Sequence, residues 1–227
     1  MSKSICRIFL VFLIFWFQPL FSVSADTSLV TWTEAEYWAL NQIIKGQPVD
    51  FNKRYGETLD PAKPHGWKSS KRSQDRRLSR SFFAKLLSNE SARKALSTSS
   101  ITITGALFPD GITVIEVELG GFLAISESRF MDSVEFVSLN LKSNFYLNDN
   151  VFIEKINFTH INIDGNIIFK GNKFRKKVQF VDIYVGSGVV FSNVLFNDNL
   201  EIGSISITER FSIVENSFFQ KNISIIL

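Results

Sequence analysis

Cysteine is nearly missing from this chain of 227 residues: the only one is Cys6. Beyond it there can be no disulfide, no thiolate metal site and no cysteine nucleophile. A protein built this way has to be held together by its core alone. Histidine is almost as scarce. His65 and His160 lie in different regions, and neither has a His or Cys neighbour at ligand spacing, so each reads as a lone surface histidine. There is no Gly-x-Ser-x-Gly or similar nucleophile signature. Gly186-Ser187-Gly188 could receive an anion through backbone N–H groups, but reads first as a tight corner. Long apolar runs are also few. Ile8 to Phe17 is the longest, and it falls short of the ~20 residues that cross a bilayer.

That run has the context of a secretory signal. Lys3 and Arg7 precede it, and Val23-Ser24-Ala25 offers small residues to a signal peptidase, with cleavage before Asp26. Residues 1–25 are therefore expected to direct export, to the periplasm or the medium. The alternative is an uncleaved segment anchoring the chain in the inner membrane. Charge is divided between the remaining halves. Residues 26–99 hold 13 Lys/Arg against 8 Asp/Glu, and residues 100–227 hold 10 against 14. The halves can attract each other or different partners.

The first half reads as helical and basic. Thr33-Glu34-Ala35-Glu36 has the spacing of a capping box, followed by Tyr37, Trp38, Leu40, Ile43 and Ile44, then Gly46 and Pro48 as a stop. This gives an N-terminal helical segment over 26–59. Residues 60–80 read as a basic linker, with Pro61, Pro64, Gly66 and seven cations from Lys63 to Arg80 against Asp75. Lys68, Lys71, Arg72, Arg76 and Arg77 are the candidates for contact with an anionic glycan or lipid surface, beside a Trp67 able to insert at an interface. The competing reading is a solvated linker. Residues 81–99 are expected to form one helix, Phe82, Phe83, Leu86 and Leu87 being its apolar side. It is expected to cap the first repeat near Ile101 and Ile103, because solenoid ends need covering.

What the chain has in excess is phenylalanine, 23 copies, and its placement is periodic. From Ser100 a 22-residue repeat runs through five full copies and a sixth incomplete one, Arg210–Leu227. Column 9 holds Phe108, Phe130, Phe152, Phe174 and Phe196, with Phe219 displaced by one inserted residue. Column 4 holds Ile103, Ile125, Leu147, Phe169, Phe191 and Ile213; columns 15 and 20 are apolar in every full copy. These columns are separated by 5, 6, 5 and 6 residues, and columns 2, 13 and 18 add apolar partners two positions earlier. Residues two apart share one side of a strand. The pattern predicts a mainly β fold: a parallel β-helix of about six coils, with short strands facing one interior. Column 7 (Ala106, Ser128, Asn150, Asn172, Val194) is small or polar and reads as room for a stacked Phe ladder.

Asn-Val-Phe152, Asn-Lys-Phe174, Ile-Asn-Phe158 and Val-Gln-Phe180 resemble the bacterial pentapeptide-repeat family. The resemblance covers Ser100 to Leu227 and implies a right-handed, four-sided β-helix. This sequence departs from the family's strict period, since two of its four sides have six residues.

The sequence points to no catalytic, cofactor or metal residue. Asp110, Asp132 and Asp198 share column 11, but Lys155 and Lys176 stand there or beside it on intervening coils, so corner solvation is the simpler reading. Lys170, Lys173, Arg175, Lys176 and Lys177 make one coil basic. The expected function is a non-catalytic exported module of the bacterial envelope with a structural or protein-interaction role and no nucleic-acid partner. The alternatives are a carbohydrate-active β-helix enzyme with a shallow site, or an anionic-surface binder acting through the basic segment. Tyr146, Ile168 and Val190 form an outward apolar column on three successive coils, a candidate interaction stripe. The apolar end, Ile223 to Leu227, is expected to leave an open core. Self-association or an unknown protein partner is therefore expected, through the last coil or the stripe, unless the chain is a truncated relative of a longer protein.

Overall fold

The structure, a computed structural model, describes residues 31–63 and 74–226. The proposed signal, His65, Trp67, Lys68, Lys71, Arg72 and Leu227 lie outside the described residues. Among those described, no helix is long and apolar enough to cross a membrane.

From Ile101 onward the chain winds into a parallel β-solenoid of about six coils. Each coil adds one strand to each of its sheets, and neighbouring strands are related by the 22-residue repeat. The register follows the columns: Leu147 pairs with Phe169, Phe152 with Phe174, Phe158 with Phe180 and Ile163 with Val185. Burial alternates along the strands, as in Phe145–Asn148, so the columns read as apolar face inward.

The Phe column is a continuous stack. Rings of Phe108, Phe130, Phe152, Phe174, Phe196 and Phe219 follow one another at 4.4, 4.5, 4.8, 5.1 and 4.7 Å between centroids. A second stack joins Phe136, Phe158 and Phe180 at 5.2 and 4.7 Å. In-register pairing forces identical side chains on top of one another, and flat rings tolerate that spacing.

Two features of the coil go beyond the sequence reading. First, the backbone enters the left-handed region every eleven residues, at Gly105, Glu116, Glu127, Ser138, Asp149, His160, Gly171, Asp182, Asn193, Ser204 and Glu215. Each coil is thus two eleven-residue halves with one sharp corner apiece. Only Gly and small or polar residues stand at these corners, because β-branched side chains are strained at positive φ. Second, column 7 is more than a space-filler. Ser128 Oγ accepts from Ala106 N (3.1 Å), Asn150 Oδ1 from Ser128 N (3.0 Å) and Asn172 Oδ1 from Asn150 N (3.0 Å). The residues are fully buried. Just past the Gly105, Glu127 and Asp149 corners the backbone N–H receives a side-chain oxygen from the next coil, and the buried donor is satisfied. Asn150 and Asn172 also donate inward, to the carbonyls of Ile125 and Leu147.

The N-terminal region differs from the expected helical segment, linker and capping helix. Helix α1 (Glu34–Ile44) opens with the Thr33/Glu36 capping box. Strand β1 (Val49–Asp50) then pairs in parallel with Ile103–Thr104, and helix α2 (Phe51–Tyr55) follows. The end of the supposed linker is built into the solenoid. Leu107 N donates to Arg76 O (3.0 Å), Leu78 N to Leu107 O (2.9 Å) and Thr113 N to Arg80 O (3.3 Å). The expected single helix is two, α3 (Phe82–Ser88) and α4 (Glu90–Leu96). They part at Asn89, whose backbone is extended and whose side chain caps α4 by accepting from Ala92 N (3.0 Å). Ile103 is covered by β1 rather than by α3, which lies against the strand Ile112–Ile115. Gly120 N donates to Leu96 O (3.1 Å). The first coil therefore rests on an irregular preceding coil assembled from four separate stretches.

Candidate functional site

Of the basic segment's candidates, Arg76 must be corrected. It is fully buried and cannot touch a surface. Its Nη1 donates to Asn52 Oδ1 (2.6 Å) and Gly105 O (3.3 Å), and its Nη2 to Glu57 O (2.6 Å). Its guanidinium stands 5.2 Å from the Tyr55 ring. Asn52 Nδ2 donates onward to Glu127 Oε2 (2.7 Å), so the network ties the irregular coil to the second full coil. A Cβ on Gly105 would overlap Asn52 Oδ1, and Gly105 also has φ +69°; glycine is needed there twice over. Arg76 and Leu78 alternate inward about an outward Arg77, the two-residue period of an extended chain. Arg77 is exposed.

A second buried charge holds the same end. Glu36 is fully buried, with Lys85 Nζ at 2.8 Å and donated bonds from Ser79 N (3.1 Å), Ser79 Oγ and Thr33 N (3.1 Å). Burial pushes its carboxyl up, but the bonds from Lys85, Ser79 and Thr33 outweigh it and hold it below its ordinary value. Arg129, which the sequence reading did not single out, is 3% exposed and donates to the Pro61 carbonyl, pinning that segment over the solenoid.

The three stripe residues are brought together. Tyr146 pairs with Ile168 and Ile168 with Val190 in parallel register, all half-buried on the outer face of one sheet. The Tyr146 ring packs edge-on against Phe122 at 5.9 Å. The column continues as Ala124 on one side and Ser212 on the other, so its apolar part is bounded.

Corners bring other residue types together. Ser138, His160, Asp182 and Ser204 occupy one corner column on successive coils, with His160 Nε2 3.3 Å from Asp182 Oδ2. The His160 and Asp182 side chains are 62% and 50% exposed. Acyl transfer needs a water-excluding wall and preorganised donors around such a group, and a projecting corner supplies neither. The local explanation is conformational: histidine, serine and aspartate are tolerated at positive φ. The carboxylates of column 11 are tied separately. Asp132 Oδ2 meets Arg80 Nη2 at 3.2 Å, and Asp198 Oδ1 meets Lys221 Nζ at 2.9 Å. The Lys221 ammonium and the Asn199 N–H hold the Asp198 carboxyl below its ordinary value. On the basic coil, Lys177 pairs with Glu201 of the next coil at 3.2 Å.

Compared with models of protein families, with curated proteins and with solved structures, the chain matches none.

Proposed function

We propose that this chain is a non-catalytic, exported repeat protein that acts as a structural or protein-interaction module of the bacterial envelope. The observation that carries the reading is the Tyr146–Ile168–Val190 column. Three apolar side chains of consecutive coils are held in fixed register on an outer sheet face, on a scaffold whose interior is close-packed. Rows one strand apart are about 4.8 Å from each other, so the column presents about 10 Å of preorganised apolar surface. Apolar area of this kind favours a partner that covers it, because burial removes it from water. The export reading rests on Lys3, Arg7, the apolar run and Val23-Ser24-Ala25.

A photo-crosslinking residue at position 168 tests the proposal in the producing cell. One discrete adduct, absent when the crosslinker replaces Glu135 on another face, is expected. No adduct at 168, or the same adducts at both positions, overturns the assignment of this face.

A further inference from the structure

The outward column of the six-stranded sheet passes from covered to open along the solenoid. Leu107, Arg129, Val151, Lys173, Leu195 and Phe218 stand in it on successive coils, held in parallel register. Chain from the N-terminal region closes over its start: Leu59 packs with Leu107 and Met131, and the Pro61 carbonyl accepts from Arg129. Leu107, Arg129 and Val151 are each 3% exposed. Further along, Lys173 is exposed, Leu195 is half-buried and Phe218 is 62% exposed.

The open part is cationic. Lys170, Lys173, Arg175 and Lys176 are all exposed on one coil, and Lys155 is exposed on the coil before it. Among the described residues, the side chains of Lys155, Lys170, Lys173 and Arg175 have no ion-pair or hydrogen-bond partner. Lys176 lies near Asp198, whose Oδ1 is already held by Lys221 at 2.9 Å. Burial, and then the Arg175 charge, hold the Arg129 guanidinium below its ordinary value, so these cations are felt by their neighbours rather than neutralised. Asp149 and Glu154 are the exposed carboxylates of the third coil here. Glu116, Glu118 and Asp182 stand along the eight-stranded sheet instead. Uncompensated like charges repel, and an anionic partner relieves them. The apolar side chains then choose among anionic partners. A soluble polyanion meets charge alone, whereas Leu195 and Phe218 gain where an apolar layer lies beneath the charged groups.

We infer that this face lies against an anionic lipid surface. Lys170, Lys173, Arg175 and Lys176 sit among the headgroups, and Phe218 enters the layer below. The Tyr146 column belongs to another sheet, so the inference stands apart from the function proposed above.

The test is co-sedimentation of the chain from Asp26 onward with vesicles of phosphatidylglycerol and phosphatidylcholine in equal parts, and with phosphatidylcholine alone. The apolar run Ile8 to Phe17 is left out because it would partition into any bilayer; residues 32–227 form a compact unit without it. Binding to the anionic vesicles alone, weakened by salt, is expected. Each Lys or Arg near such a surface strengthens partitioning about fivefold, so Lys173→Gln with Arg175→Gln should weaken it about twentyfold. Phe218→Ser should weaken it about fivefold, with unchanged circular dichroism in every variant. Lys142→Gln with Arg210→Gln, an equal change in net charge elsewhere on the solenoid, should leave it intact. The inference is overturned if the anionic vesicles bind nothing, if neutral vesicles bind as well, if the Lys173 and Arg175 pair keeps wild-type affinity, or if the two paired variants lose equally. No loss in Phe218→Ser overturns the lipid assignment, and saturation by soluble polygalacturonate would then identify the partner as a polyanion.

Discussion

The two ends of the described solenoid differ: non-repeating chain covers the first coil, while the sixth presents apolar side chains to solvent. At the first coil, an irregular stretch of chain supplies hydrogen-bond partners at four places and carries its charges inside, Arg76 among carbonyls and Asn52, Glu36 beside Lys85 and Ser79. At the sixth, coil stacks on coil through strand pairing and the Phe196–Phe219 contact, while Phe211, Ile213, Phe218 and Ile223 are exposed. Within the stack each coil satisfies its neighbour by repetition. A chain that covers the stack without repeating it must satisfy every donor and acceptor with a particular residue, and that is where buried charge enters.

Four perturbations sharpen this contrast, in falling order of effect. Phe152→Asp, midway between the ends, buries an unpaired carboxylate in the Phe stack at a cost of several kcal/mol. Hydrogen exchange should show both ends losing protection together; a melting temperature within a few degrees of wild type would sink the stacked register. Arg76→Met strands Asn52 Oδ1 and the Gly105 and Glu57 carbonyls and should cost about 3–5 kcal/mol, as breaking buried charged networks does. Its counterpart, Arg210→Met on the exposed sixth coil, should stay within about 0.5 kcal/mol. Equal losses in denaturant titrations would erase the difference between the ends.

The third perturbation is pH. The folded pKa of Glu36 lies below its ordinary value, so its contribution is fully present above the unfolded pKa and is lost as pH falls through the folded one. Wild type should therefore lose more melting temperature on acidification than Glu36→Gln, with protection lost first around α1 and α3. Parallel pH curves for the two proteins would refute the role. Last, Phe218→Ser removes a side chain 62% exposed and should change stability by no more than about 0.5 kcal/mol. A larger loss in the same titration would mean that this end is covered in solution.

The solenoid was legible because stacking writes itself into sequence: Phe130, Phe152 and Phe174 recur at 22 since each lies on the last. The alignment of Tyr146, Ile168 and Val190 was legible for the same reason. The covering coil was not. Arg76 looks like any cation in a basic stretch until Asn52 and Gly105, distant in sequence, close around it. Asn89 carried a usable signal, a capping residue ahead of Glu90, yet the apolar spacing on either side favoured one unbroken helix. Column 7 was read for its size, because the N–H that Asn150 receives belongs to another coil and to a corner that composition does not announce.

The corners recur at eleven residues, but the buried Asn/Ser ladder recurs at twenty-two, and this mismatch constrains how such a chain can lengthen. Duplicating one half-coil would keep every corner in step yet set apolar column 18 against polar column 7, leaving N–H groups such as that of Ser128 without the oxygen they now receive. Duplicating a whole coil brings its own ladder residue and leaves both faces unchanged. Growth is thus quantised in storeys of two corners. The one extra residue near Asn216 shows how small an irregularity fits between them: it follows the Glu215 corner, and Ser217 Oγ still reaches Val194 N at 3.3 Å.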